Sequence, residues 1–172
     1  MTARSAGAAV RPEVLHGSFT VERDLAASPG RVYSAYADFT VRRRWFRMPG
    51  ESSRGSHELD FRVGGHEVAS GVFAPAGEAE EALSYRSTFW DLEPGARIVF
   101  SYSVTLNGVR RWASLVTVLL SALSSGEGTR LRHTEQYAFL AYDGDGAHDI
   151  AHLKGSLPLQ LNGLAAALNA TG

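Results

Sequence analysis

From Arg97 to Leu106 the chain alternates. Ile98, Phe100, Tyr102, Val104 and Leu106 fall on one side, and Arg97, Ser101, Ser103 and Thr105 on the other. A period of two is the signature of a strand with one buried face. Asn107-Gly108 follows at once, a dipeptide that favours the two-residue hairpin turn. If the turn is that tight, Ala113, Leu115 and Thr117 join the apolar face, while Trp112 and Ser114 join the polar one. Pro94-Gly95 and the run Ser124–Gly128 mark further turns, so Leu83 to Leu140 reads as four long strands. In the last of them Leu131, His133, Glu135 and Tyr137 oppose Arg130, Arg132, Thr134 and Gln136. Two arginines on one side turn the His133 face inward.

The N-terminal half predicts shorter elements. Residues 1–16 read as a flexible leader, and a first strand is expected near Ser18–Leu25. Ser28-Pro29 is a helix start, with a capping hydroxyl followed by proline in the first turn. Val32, Tyr33, Tyr36 and Ala37 then recur at helical spacing. A second short helix runs from Phe39 to about Trp45, with Arg42, Arg43 and Arg44 as a solvated face, and Met48-Pro49-Gly50 stops it. Glu51–Ser56 is a polar loop. Leu59, Phe61 and Val63 alternate with charged residues up to Gly64-Gly65, which predicts a tight hairpin setting Val63 beside His66, Arg62 beside Glu67 and Phe61 beside Val68. The strand from His66 ends by Pro75, and Gly77–Glu81 forms an acidic loop.

The C-terminal segment is the clearest helix. Ile150, Leu153, Leu157, Leu161, Leu164 and Leu168 form a stripe spaced by threes and fours, with a bend expected at Pro158. The predicted architecture is α+β: a strand, two short helices, six more strands and one long helix. A sheet of about seven strands accumulates twist and curls. The long apolar helix then has to lie in its concavity, because nothing else can cover both surfaces.

Composition narrows the function classes. The 172 residues carry 17 basic and 18 acidic side chains, a formal net charge of -1, which gives no field for nucleic acid or an anionic membrane. There is no cysteine, so disulfides, thiolate metal sites and cysteine nucleophiles are excluded. The apolar stretch Ala6–Val10 is too short for a signal peptide or a membrane span. Lys154 is the single lysine, a bias of the kind GC-rich bacterial genomes produce. A cytoplasmic protein, monomer or homodimer, is the expectation.

Several local sequences resemble one family. They are Ser28-Pro29 with Val32-Tyr33, Arg44-Trp45-Phe46, Leu59-Asp60-Phe61-Arg62-Val63-Gly64-Gly65, Asp91-Leu92-Glu93-Pro94 before Arg97-Ile98-Val99-Phe100, Val116-Thr117-Val118 before Gly128-Thr129-Arg130-Leu131, and Gly155 with the stripe Leu161–Leu168. In this order they resemble the START/Bet v 1-like superfamily, in the branch named after the activator of Hsp90 ATPase. The resemblance runs from about residue 17 to the end, which sets 17–172 as one domain. It implies a helix-grip fold with a cavity between sheet and last helix. It does not choose among lipid carriers, receptors, polyketide cyclases and co-chaperones.

The candidate site follows from face and fold together. His133 and Glu135 share one face of a strand, where they either orient a polar ligand group, act as an acid–base pair or sit solvated at the cavity mouth. Trp45, Phe61, Tyr85, Phe89, Phe100 and Tyr102 are candidates for the cavity wall, or else plain core, with Leu157 and Leu161 contributed by the helix. His57 and His66 share the inferred inward parity but lie at different ends of a hairpin, too far apart for one ion. His148 and His152 read as a solvated first helical turn, and Asp143–Gly146 as a turn. Neither a metal nor a cofactor is expected. The leading function is binding of a hydrophobic or aromatic small molecule without demonstrable catalysis. The alternatives are a polyketide cyclase or dehydratase on an aromatic substrate, with His133 as base and Tyr102 as proton donor, and a protein-interaction module that uses the outer sheet surface, exposed arginines and Trp112.

Overall fold

Alternation and turn chemistry build one antiparallel sheet, seen in a computed structural model that describes residues 9–51, 54–74 and 78–170. The elements are β1 (Ala9–Leu25), α1 (Pro29–Ala37), α2 (Phe39–Trp45), β2 (Ser56–Leu59), β3 (His66–Phe73), β4 (Glu81–Glu93), β5 (Arg97–Leu106), β6 (Val109–Ala122), β7 (Thr129–Tyr142) and α3 (Ala147–Asn169). The seven strands lie in the order β1-β7-β6-β5-β4-β3-β2, every neighbouring pair antiparallel. The sheet curls around α3, which gives the α+β helix-grip architecture. Its inner face supplies Ile98, Val116, Val118 and Leu131, and α3 answers with Leu157, Leu161, Leu164 and Leu168, all buried.

The two short helices are fixed by their caps. Ser28 accepts a hydrogen bond from the Arg31 backbone N–H at 3.4 Å, and Pro29 opens α1. Asp38 ends α1 and caps α2 by accepting from the N–H groups of Thr40 and Val41 at 2.8 and 3.3 Å. The Trp45 indole donates to the Ala35 carbonyl at 3.0 Å and locks the helices together. An added Cβ at Gly163 would lie 3.4 Å from that of Trp45, so a glycine lets α3 come close to α2.

The structure corrects four expectations. β1 begins at Ala9, so Ala9, Val10, Leu15 and His16 of the supposed leader pair with β7, with an irregularity between Val10 and Leu15. β2 stops at Leu59: residues 60–65 form a longer loop, held when Gly64 N–H donates to Phe89 O and Phe89 N–H to Gly65 O. The pairing therefore moves from Phe61–Val68 to Leu59–Glu67, an odd shift that exchanges the faces of β3. Glu67 points inward and is buried, whereas His66 is exposed.

The third correction is in β6. Asn107 (φ 50) and Gly108 (φ 80) make the tight turn, and Leu106–Val109 and Thr105–Arg110 pair as anticipated. Then Val104 pairs with Trp112, leaving Arg111 as a bulge. Beyond it Trp112, Ser114, Val116 and Val118 face inward, and Ala113, Leu115 and Thr117 outward, the reverse of the two-residue extrapolation. Arg111 uses its freedom: its Nε donates to the Ala141 carbonyl at 3.1 Å and its Nη2 to Asp149 in α3 at 2.6 Å. The fourth concerns the arginine run, where Arg43 and Arg44 are exposed but Arg42 is buried.

α3 runs without interruption through Pro158. Residues 1–8, Ser52-Ser53 of the polar loop, residues 75–77 with the expected strand end at Pro75 and loop start at Gly77, and the final two residues lie outside the described residues. No described helix is long and apolar enough to cross a membrane.

Candidate functional site

Between the sheet and α3 the core does not close. A cavity of about 220 Å³ is left there, open to solvent along one side. The strands contribute Leu83, Tyr85, Phe100, Tyr102, Val104, Trp112, His133 and Glu135. Tyr36, Arg42 and Phe46 close the end near α1 and α2, and Arg47, Met48 and Pro49 follow them. From α3 come Leu153 and Leu157, with His152, Ser156 and Gln160 at four-residue intervals, a polar row along the rim. A larger depression of about 490 Å³ lies on the convex side, lined by outward residues such as Arg86, Ser101, Ser103, Ala113 and Gln136. It is an open groove on a strand surface, whereas the smaller cavity is walled by rings and charged groups.

One wall of the cavity is a hydrogen-bonded chain. The Trp112 indole Nε1–H donates to the Tyr102 hydroxyl at 3.3 Å, and that hydroxyl donates to Glu135 Oε1 at 2.5 Å. His133 Nε2 stands 3.4 Å from Glu135 Oε2. All three strands meet here because Tyr102 pairs with Ser114 across β5–β6, and Val116 pairs with Glu135 across β6–β7. His133 and Glu135 are 6% and 3% exposed, so the polar group faces the cavity and not bulk water. Burial pushes the Tyr102 phenol well above its usual range, and the Glu135 charge and hydrogen bond push it further. It therefore remains a proton donor across the physiological range.

The opposite end holds a second charged group. Arg42 reaches Glu67 through two parallel bonds, Nε to Oε1 at 2.8 Å and Nη2 to Oε2 at 2.7 Å. His57 Nε2 is also 2.8 Å from Oε1. The guanidinium carbon lies 4.2 Å from the Trp45 ring centre and 4.3 Å from that of Phe46. Burial alone would raise the Glu67 carboxyl, but the Arg42 charge and the bonds from Arg42 and His57 outweigh it and hold the group below its usual range. Burial likewise pushes the neighbouring Tyr36 phenol up to about 12.

Of the residues expected at the site, Tyr85, Phe100, Tyr102, His133, Glu135 and Leu157 line the cavity. Trp45, Phe61, Phe89 and Leu161 do not. Trp45 packs edge-on to Tyr36 between the short helices, Phe61 bridges Tyr33 and Phe89, and Leu161 fills the core. The sequence reasoning missed Tyr36, Arg42, Phe46 and Trp112, as well as the α3 row His152, Ser156 and Gln160. That row was visible as i, i+4, i+8 spacing beside the leucine stripe. Trp112 was hidden by the bulge. His148 lies off the cavity, and among the described residues no group of three His, Asp or Glu side chains is placed to hold a metal ion.

A curled sheet gripping a long helix over a partly filled interior defines the START/Bet v 1-like class of proteins. Within that class, the family model described as activator of Hsp90 ATPase homolog 1-like protein matches residues 26–169, and the chain belongs to this family. None of the curated proteins compared with it matches. Among solved structures it is similar to an uncharacterized protein from Rhizobium leguminosarum, with 32% identity and a TM-score of 0.76 over 92% of this chain and 97% of that one. It is also similar to the Mll3558 protein from Rhizobium loti, with 39% identity and a TM-score of 0.70 over 90% and 99%. A protein of the dynemicin biosynthetic locus, DynU16, shares the fold at 19% identity and a TM-score of 0.61, over 88% of this chain and 47% of that one.

Proposed function

We propose that the protein binds a hydrophobic, aromatic small molecule in the cavity between the sheet and α3. The observation that carries the reading is the Tyr102–Glu135–His133 group, buried and hydrogen-bonded inside a cavity whose other walls are mostly rings and aliphatic side chains. A protein interior normally packs to the density of an organic crystal. A void lined by apolar groups with a few converging polar ones is the usual form of a ligand site. Apolar burial against Tyr85, Phe100 and Leu157 would supply most of the affinity, and Tyr102 and Glu135 the orientation.

Thermal unfolding with 2-naphthol tests the reading. At a hundredfold excess over Kd the ligand should raise Tm by about 5 °C or more. Glu135→Gln should weaken the effect. An unchanged Tm across naphthalene-sized aromatics would count against the cavity as a site.

A second reading, a cyclase or dehydratase on an aromatic polyketide-like substrate, is favoured by the 2.5 Å contact between Tyr102 and Glu135 beside His133, an arrangement suited to moving a proton. DynU16 lends it a weak parallel, through the biosynthetic locus it comes from. Here His133→Ala would lower turnover by about 10²-fold while binding persists.

A further inference from the structure

Two buried charged groups, Arg42 and Glu135, face the cavity from separate places, and each has hydrogen-bonding capacity left over; Arg47, also in the lining, is exposed. Arg42 engages Glu67 with Nε and Nη2. Among the described residues no acceptor takes a hydrogen bond from its Nη1. A guanidinium carries five N–H donors, so the side of the fork away from Glu67 is open. Arg42 is 5% exposed, and the space it borders is the cavity. Among the described residues the side-chain polar atom buried without a partner is Ser114 Oγ, so Arg42 Nη1 keeps accessible surface, and a ligand oxygen in the cavity can accept a charge-assisted hydrogen bond from it.

Glu135 is the complementary case. Its Oε1 accepts from Tyr102, and its Oε2 faces His133 at 3.4 Å. A carboxylate offers about four acceptor positions, so two remain. Between the two groups runs a row of rings: Phe46 meets Tyr85 edge-on with centres 4.8 Å apart, and Tyr85 and Tyr102, tilted by 30°, have centres 5.1 Å apart. A flat ligand lying along these rings would meet Arg42 with one end and Glu135 with the other.

We infer that the cavity selects an aromatic ligand with a neutral acceptor oxygen at one end, received by Arg42, and an O–H or N–H donor at the other, received by Glu135. This rests on the cavity reading above and specifies its ligand class. At Arg42 a carbonyl suits better than a carboxylate, because Glu67 already balances the Arg42 charge and Glu135 would repel a second anion, while the other cation of the lining, Arg47, is exposed to water.

Four matched probes test it by calorimetric titration: naphthalene, 2-acetylnaphthalene, 2-naphthol and 6-acetyl-2-naphthol. The compound with both groups should bind about tenfold or more tightly than either compound with one. Arg42→Lys keeps a cation against Glu67 but removes Nη1. It should cost the two acetyl compounds about tenfold and 2-naphthol less than about threefold. If Arg42→Lys fails to fold, the wild-type series decides alone. Equal affinity for all four probes, or an equal loss for 2-naphthol in Arg42→Lys, overturns the inference and leaves the cavity reading standing. No binding by any of the four removes both.

Discussion

Arg42 and Glu67 are each almost fully enclosed, and a charge in that position is tolerated only with its partner in place. Glu67 is held below its usual range, so its contribution to stability is complete above the unfolded value near 4.5 and disappears as pH falls through the lower folded value. Glu67→Gln should therefore cost about 3–5 kcal/mol at neutral pH, since it leaves Arg42 buried without a counter-charge. The gap to the wild type should narrow in acid, where the wild-type carboxyl also becomes neutral. Urea unfolding at neutral pH and in acid checks this, and a gap that stays constant contradicts it. At this scale the sequence was half legible. His133 and Glu135 could be placed because a long strand with arginines on its other face has only one sensible orientation. Arg42 could not, because three consecutive arginines on a seven-residue helix cover most of its circumference and leave its phase open.

The strands show where pattern reading holds and where it fails. β7 and β5 keep an unbroken period of two, and their inward faces are as their sequences imply. β6 carries the same kind of pattern, yet one extra residue after a correctly read turn reverses everything downstream. Nothing local marks Arg111 as that residue. Its reason is tertiary, the reach to Ala141 and Asp149. The same holds for β3, whose register follows from the loop tied to Phe89 and from the partner Glu67 finds in Arg42. Deleting Arg111 should therefore turn Trp112 outward, shift its fluorescence to the red and abolish 2-naphthol binding. Arg111→Ala, which keeps the bulge, should hold binding within about threefold and cost about 1–3 kcal/mol of stability. Retained binding in the deletion would show that the bulge does not set the site.

As a whole, the molecule was legible in outline. A curling meander and one leucine-striped helix predict each other, and the family match over residues 26–169 agrees with that architecture. The cavity was implied by resemblance and not by packing, because a sequence does not reveal how completely side chains fill the space between two surfaces. That incomplete filling is the centre of the account. On the function proposed above, the volume of about 220 Å³ left under α3 is where an aromatic guest would reside.

Intermolecular NOEs from bound 2-naphthol test this most directly. Cross-peaks to Tyr85, Tyr102 and Leu157 are the predicted result. Cross-peaks confined to Leu115, Ala113 and the other convex-face residues would contradict it.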